Sequence, residues 1–287
     1  MKFSIITPSF RNAQWLKLCI ASVADQTGVE IEHIVQDAGS DDGTLDWLPA
    51  DSRVKAFVEK DGGMYDAVNR GFRRAIGDIV AHLNCDEQYL PGALAAVAES
   101  FNRHPDADIL LADSVVTDAK GEFICCRKSL VPWRVLQWTY VPTLTSSIFI
   151  RRRALEHFNL YFDIRWRDLG DAAWMREALQ LRLKFALLRR YTSVFTDTGE
   201  NMNLKPNAIR EKRRQERMAP AWARGFRWPL LLLHRARAAW NGLYWEKPFA
   251  YSLYKLTSPD RRVEVAVAKP TGIWWARHEH ARAPAPL

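Results

Sequence analysis

The stretch DIVAHLNCDEQYL, residues 78–90, places two adjacent carboxylates directly after a run of apolar residues. Four apolar side chains predict a short buried strand: Ile79, Val80, Ala81 and Leu83. Asp86 and Glu87 then stand side by side on the following loop. Neighbouring carboxylates repel one another unless a positive group lies close to them. No Lys or Arg occurs between residues 76 and 101, so the compensating charge is either a divalent cation or the N-terminus of the next helix.

Segments typical of strands and helices alternate around this stretch. KFSIIT (2–7), EIEHIVQD (30–37) and VKAFVE (54–59) predict three more strands, and the apolar spacing between them predicts helices. Repeated strand–helix units predict an α/β fold with a mostly parallel central sheet and helices on both faces.

Polar residues follow each of the four predicted strands, in residues 7–9, 37–44, 61–63 and 84–87. Ligands of parallel sheets bind at the carboxyl ends of the strands, so these clusters predict one shared site. The sequence contains neither a Rossmann glycine fingerprint nor a P-loop. This argues against dehydrogenases and ATPases, and it favours a diphosphate held through a metal ion.

The second half of the chain changes character. Residues 108–126 predict a β-hairpin, residues 146–150 another strand and residues 169–182 an amphipathic helix. We place a domain boundary near residue 200, which gives a main domain of residues 1–200 and a C-terminal helical extension of residues 201–287. The four cysteines show no metal-ligand spacing and no signal-peptide core is evident, so the expected location is the cytoplasm.

The predicted extension is strongly basic. Residues 205–240 contain ten Lys or Arg and two Glu, a net charge of +8 that equals the net charge of the whole chain. Basic residues among aromatic ones indicate an anionic membrane surface, a helix that packs its aromatics on the main domain, or nucleic acid. We favour the membrane surface for residues 205–260, which would make the protein peripheral on the inner face of the cytoplasmic membrane. Nucleic acid is the least favoured partner.

Three ordered motifs carry a family resemblance: IITPSFRNAQWLKLCIASVADQT (5–27), HIVQDAGSDDGT (33–44) and DGGMYDAVNRGFRRAIGDIVAHLNCDE (61–87). Over about residues 1–200 the chain resembles the family-two glycosyltransferases of GT-A fold, in particular bacterial enzymes that build surface polysaccharides of the colanic-acid type. The resemblance implies an inverting transfer that depends on Mn²⁺ or Mg²⁺. The implied donor is a nucleotide-sugar, usually a UDP-sugar, and the implied acceptor is a lipid-linked sugar or polysaccharide.

The resemblance also implies roles for individual residues. Asp37 would bind the base, Asp86 the metal, and Glu87 is a second candidate ligand. The residues expected at the nucleotide-sugar are Thr7, Pro8, Ser9, Asp37, Asp61, Gly62, Asn69, Asn84, Cys85 and Asp86. An inverting transfer needs a carboxylate that takes the proton of the acceptor hydroxyl. Asp171 matches that position, with Asp168 as its rival, although an aspartate before a helix is equally typical of an N-cap.

Two departures from the family pattern keep other functions open. Ala38 stands where the family has its second aspartate in the "DDGS" stretch, and Asn84 stands where many members have the first aspartate of the metal motif. A non-catalytic protein that binds membrane or nucleic acid on an altered transferase scaffold is the main alternative. A nucleotidyltransferase is disfavoured because no glycine-rich basic signature follows the first strand.

Overall fold

The computed structural model describes residues 1–138, 144–199 and 206–273 of the chain. Its strands are β1 (Lys2–Ser9), β2 (Glu30–Asp37), β3 (Lys55–Val58), β4 (Ile79–His82), β5 (Gln88–Tyr89), β6 (Ile109–Asp118), β7 (Phe123–Arg127), β8 (Ile148–Arg151), β9 (Phe185–Asp197), β10 (Phe249–Lys255) and β11 (Ser258–Val267). Its α-helices are α1 (Ala13–Ala24), α2 (Met64–Arg74), α3 (Ala93–Arg103), α4 (Arg152–His157), α5 (Gly170–Gln180), α6 (Pro206–Met218), α7 (Ala221–Gly225) and α8 (Arg227–Trp240).

The central sheet is mixed but mostly parallel, as the strand–helix alternation predicts. Its strand order is β3-β2-β1-β4-β8-β6-β9-β5, and β7 pairs with β6 beside this path. Strands β1 to β4 run parallel to one another. Strand β8 is antiparallel to both β4 and β6, and β9 is parallel to β6. The carboxyl ends of β1, β2, β3, β4, β6 and β9 therefore point toward the same edge of the sheet.

Helices cover both faces of this sheet because apolar side chains alternate along its strands. In β1, Phe3 and Ile5 belong to a first core cluster, on one face of the sheet, and Ile6 belongs to a second cluster on the other face. In β6, Leu110 packs in the first cluster and Leu111 in the second. The first cluster contains residues of α1 and α3, and the second contains residues of α2 and α5. The α/β prediction is thus confirmed.

The C-terminal extension is only partly helical. Residues 206–240 form three helices, as expected, but residues 249–267 form an antiparallel β-hairpin. Tyr251 and Leu253 of this hairpin pack in one core cluster with Leu90, Val115 and Val194. Alternate residues of β10 face that cluster, which is the period of a strand and differs from that of a helix. The hairpin therefore shares a core with the central sheet, and a boundary near residue 200 stays a prediction.

Within the three described ranges, the structure contains no helix with the length and apolar character needed to span a bilayer.

Candidate active site

A cavity of about 870 Å³ opens at the shared edge of the sheet. Its wall is built from the loops that follow β1, β3, β4 and β9 and from the N-terminal end of α5. The parallel orientation of these strands brings together segments that are far apart in sequence. The prediction of one site shared by several polar clusters agrees with this arrangement.

Most of the predicted site residues reach this cavity. Those that line it are Pro8, Ser9, Asp61, Gly62, Asn84, Cys85, Asp86, Asp168 and Asp171. Four predicted site residues do not line it: Thr7, Asp37, Asn69 and Glu87. Each of these four is buried and is engaged elsewhere in the protein.

Asp37 supports its own loop and is not part of the cavity wall. Its Oδ1 accepts hydrogen bonds from the backbone N–H groups of Gly39 (2.9 Å) and Ser40 (2.7 Å), and its Oδ2 accepts one from the Ser40 hydroxyl (2.8 Å). The side chain is fully buried. This carboxylate shapes the turn that places Ala38 in the wall, and its expected contact with the base stays a prediction.

Thr7 and Asn69 likewise serve the structure behind the site. The Thr7 hydroxyl lies 2.9 Å from His33 Nε2 beneath the first loop. The Asn69 amide exchanges two hydrogen bonds of 2.8 Å with the backbone of Phe162, one to its carbonyl oxygen and one from its N–H. Neither side chain lines the cavity, and their contacts with a nucleotide-sugar stay predictions.

Asp86 and Glu87 differ sharply although they are neighbours. Asp86 lines the cavity, whereas Glu87 is fully buried and its Oε2 accepts a 2.9 Å hydrogen bond from the backbone N–H of Asn84. Burial raises the pKa of Asp86 to about 6, and burial together with the Asp86 charge raises the pKa of Glu87 to about 8. Glu87 thus braces the loop from behind, and its role as a second metal ligand stays a prediction.

The helix-terminus explanation for this acidic pair is not supported. Helix α3 begins after Gly92, and its first turn contains no acidic residue. The two carboxylates precede the short strand β5, so they do not cap the next helix.

Asn84 is held in place by the strand below it. His82, the last residue of β4, lies with its Nε2 2.9 Å from Asn84 Oδ1. Burial lowers the pKa of His82 to about 4, so its imidazole is neutral at physiological pH. The side chain at the first position of the metal-like motif is therefore an oriented, uncharged amide.

Asp171 lies on the cavity wall as the second residue of α5, whose N-terminal flanking residue is Leu169. It is therefore inside the helix and is not its N-cap. Its Oδ1 accepts a 2.8 Å hydrogen bond from the backbone N–H of Ala172, and burial raises its pKa. A carboxylate with a raised pKa on a cavity wall is suited to accept a proton.

Asp168 is anchored by the C-terminal extension. Its Oδ2 accepts a 2.8 Å hydrogen bond from the side-chain amide of Asn207 on α6. Glu211, one turn further along α6, is buried and accepts hydrogen bonds from three consecutive backbone N–H groups, those of Arg167 (2.7 Å), Asp168 (3.0 Å) and Leu169 (2.9 Å). The Glu211 carboxylate therefore fixes the loop that leads into α5.

Sequence reasoning missed several cavity residues, among them three cations, Arg11, Lys60 and Arg167. Arg11 is engaged by Asp41 through two hydrogen bonds of 2.6 and 2.7 Å. Lys60 and Arg167 directly precede predicted site aspartates, and that adjacency is the one signal that could have identified them. Glu211 carried no signal, since it lies in the basic segment among charges that face solvent.

Comparison with known proteins identifies the family of the N-terminal part of the chain. Residues 4–126 match the model of the family described as Glycosyl transferase family 2. The chain is 27% identical over 242 residues to a PGL/p-HBAD biosynthesis glycosyltransferase of Mycobacterium tuberculosis, covering 81% of this chain and 90% of that protein. Residues 4–126 are a family 2 glycosyltransferase domain.

Other relatives agree with this family. An uncharacterised glycosyltransferase of Nostoc sp. is 27% identical over 187 residues, and the alignment spans 60% of this chain and 57% of that protein. The transferase thus aligns with little more than half of the length of its Nostoc relative.

Solved structures share the fold. S. aureus TarS 1–349 in complex with UDP-GlcNAc superposes with a TM-score of 0.59 at 20% identity, over 83% of this chain and 72% of that one. Mannosyltransferase PcManGT from Pyrobaculum calidifontis, in complex with GDP-Man and Mn²⁺, gives a TM-score of 0.53 at 16% identity, over 84% and 75% of the two chains. The glycosyltransferase therefore has the fold of these proteins.

The side chains on the cavity wall could hold a divalent metal ion only together with oxygen atoms of a bound ligand. Among residues 1–138, 144–199 and 206–273, no group of three or more His, Cys, Asp or Glu side chains is arranged to hold a metal ion. Asp86 contributes one carboxylate to the wall, and such a single oxygen donor suits Mg²⁺ or Mn²⁺ when phosphates and water complete the coordination. The residues present fit a metal that arrives with a diphosphate.

The raised pKa of Glu87 predicts a specific pH dependence of stability. Its folded pKa of about 8 exceeds the ordinary value of 4.5, so the native state binds more protons between these values. The free energy of unfolding then falls as pH rises through this window. Compared with Glu87→Gln in metal-free buffer, the wild type should lose on the order of 1 kcal/mol more per pH unit between pH 5 and pH 8. Urea denaturation at several pH values measures this.

The matched control for that experiment is Glu99→Gln on the exposed surface of α3. Its curve should run parallel to the wild-type curve. Parallel curves for wild type and Glu87→Gln would show that Glu87 does not hold its proton in the folded state.

The anchoring role of Glu211 predicts a loss of stability in Glu211→Gln. The Glu211 carboxylate uses both of its oxygens to accept from the three N–H groups, whereas a carboxamide has only one accepting oxygen. We therefore expect the free energy of unfolding to fall by about 1.5–3 kcal/mol. Glu216→Gln on the same helix breaks a half-exposed ion pair with Arg227 and should cost less than about 1 kcal/mol. Urea denaturation measures both, and hydrogen exchange at residues 167–169 should accelerate only in Glu211→Gln. Equal effects of the two variants would contradict the anchoring role.

Proposed function

We propose that this glycosyltransferase moves a sugar from a UDP-sugar to a hydroxyl group, with inversion at the anomeric carbon and with Mn²⁺ or Mg²⁺ as cofactor. The observation that carries the proposal is the placement of Asp86 and Asp171 on the wall of one cavity at the carboxyl edge of the sheet. The solved structures of the same fold that contain UDP-GlcNAc, or GDP-Man and Mn²⁺, support a donor of this chemical class.

In this proposal Asp86 holds the metal together with the donor diphosphate, and the oriented Asn84 amide lies beside it. A bound divalent cation would supply positive charge to the departing diphosphate. Lys60 and Arg167 lie on the same wall and add positive charge for the phosphates.

Asp171 acts as the general base in this proposal. Its carboxylate takes the proton of the acceptor hydroxyl while the hydroxyl oxygen attacks the anomeric carbon. The bond from that carbon to the diphosphate oxygen breaks, and the nucleoside diphosphate leaves with the electron pair. Burial raises the pKa of Asp171, which brings its proton affinity closer to what this transfer requires. Asp168, held by Asn207, is the alternative base.

The proposed acceptor is a lipid-linked sugar or a polysaccharide at the inner face of the cytoplasmic membrane, in the synthesis of a cell-surface polymer. The similarity to a protein named for PGL/p-HBAD biosynthesis supports a biosynthetic role for the transfer. The substitution of Asn84 for an aspartate leaves the metal with one protein carboxylate, so its binding should depend on the donor.

Donor binding tests the role of Asp86. Calorimetric titration of the wild type with UDP, UDP-GlcNAc and UDP-glucose should show binding that Mn²⁺ strengthens about tenfold or more, since the cation links Asp86 to the diphosphate. Asp86→Ala should lose this metal dependence. Asp163→Ala, which removes an aspartate paired with Arg165 away from the cavity wall, is the control. Unchanged metal dependence in Asp86→Ala would refute the assignment.

Turnover tests the role of Asp171. Asp171→Asn should lower kcat by about 10²- to 10⁴-fold with little change in donor affinity, because the amide cannot accept the proton. Asp168→Asn should retain most activity if Asp168 only supports its loop, and Asp163→Asn is the surface control. The readout is nucleoside diphosphate release from a UDP-sugar. A larger loss in Asp168→Asn than in Asp171→Asn would reverse the two roles.

A further inference from the structure

Helix α8 exposes large apolar side chains to solvent. Trp228 is 74% exposed, Leu232 64% and Trp240 93%. Only Leu230 and Ala238 are buried on this helix. A surface helix in water normally presents the opposite pattern, with its large apolar residues facing the core. The outward side of α8 therefore carries the features of an interaction surface.

The exposed apolar residues continue along the chain before α8. Together with α8, they form what we call the α7–α8 surface: Trp222, Phe226, Trp228, Leu232, Leu233 and Trp240. Nine of the nineteen large apolar side chains that the described part of the chain exposes lie within residues 209–245. Apolar residues that are scattered singly over a surface would not be concentrated in one segment in this way.

The same segment is rich in cations and lacks compensating acids. Residues 217–245 contain no Asp or Glu, and Arg224 and Arg235 are exposed on α7 and α8. Arg227 is paired with Glu216, a half-exposed acidic residue of α6. Positive charge thus borders the apolar side chains, which is the pattern of a helix that lies at the surface of an anionic bilayer.

We propose that the α7–α8 surface docks on the headgroup region of a bilayer containing anionic lipid. Its Trp and Leu side chains would enter the interface, and its arginines would contact lipid phosphates. The inference rests on the proposed function in one respect, since a lipid-linked acceptor gives the docking its purpose. A single-stranded nucleic acid is the less favoured partner, because stacking and phosphate contacts do not require exposed Leu232 and Leu233.

The α7–α8 surface is connected to the candidate active site through helix α6. Helix α6 precedes α7 directly and uses Asn207 and Glu211 to hold the loop of Asp168. Its outward residues include the exposed cations Arg210, Arg213 and Arg217. The proposed docking surface therefore follows directly on the helix that is hydrogen-bonded to the loop of Asp168.

Vesicle co-sedimentation of the full chain tests the proposal. Vesicles of phosphatidylcholine with about one third phosphatidylglycerol should bind the wild type far better than pure phosphatidylcholine, and added salt should weaken the binding. The triple variant Trp228→Ser, Leu232→Ser, Trp240→Ser should bind about tenfold or more weakly. The control triple variant Val58→Ser, Ile76→Ser, Leu256→Ser removes exposed apolar residues elsewhere on the protein and should bind like the wild type.

Two further measurements separate this inference from the proposed function. Calorimetric binding of UDP-sugar without vesicles should be the same in the α8 triple variant and in the wild type, which also shows that the variant is folded. Failure of the wild type to bind anionic vesicles, or equal losses in both triple variants, would overturn the docking surface and leave the transferase proposal intact. Retention of single-stranded RNA without vesicle binding would replace lipid by nucleic acid.

Discussion

The parallel pairing of β4 with β1 is the constraint on which the rest of the site depends. The register runs from Phe3 opposite Ile79 to Ile6 opposite His82, so the loops that follow these two strands leave the sheet side by side. The first loop supplies Arg11 to the cavity and the second supplies Asp86. An antiparallel pairing would send them to opposite edges and would leave no common cavity.

A second constraint joins the two halves of the chain. The Glu211 carboxylate satisfies three consecutive N–H groups that precede α5, and these groups would otherwise lack partners near a helix end. The basic extension is therefore part of the site's architecture. Its inward face holds the loop of Asp168, and its outward face presents the α7–α8 surface.

The two carboxylates on the loop after the buried strand β4 face in different directions. Glu87 turns inward to the backbone of Asn84, and Asp86 turns to the cavity. Burial disfavours the charged form of both, with the larger rise in pKa at Glu87, which also faces the charge of Asp86. One carboxylate is left for a ligand, and a diphosphate with its cation would relieve the charge that burial makes costly.

The sequence by itself determined the α/β class, the four leading strands and the loops around Asp61, Asp86 and Asp171, because apolar periodicity and chain order are local properties. It did not reveal that Asp37, Asn69 and Glu87 turn away from the cavity, since the direction of a side chain depends on its neighbours in space. It also missed Glu211 and the C-terminal hairpin. Only the tertiary structure decided the role of Glu211 and the packing of the hairpin, because their partners lie far away in the chain. A charged residue such as Glu211 has an anchoring role only when it is buried against those partners.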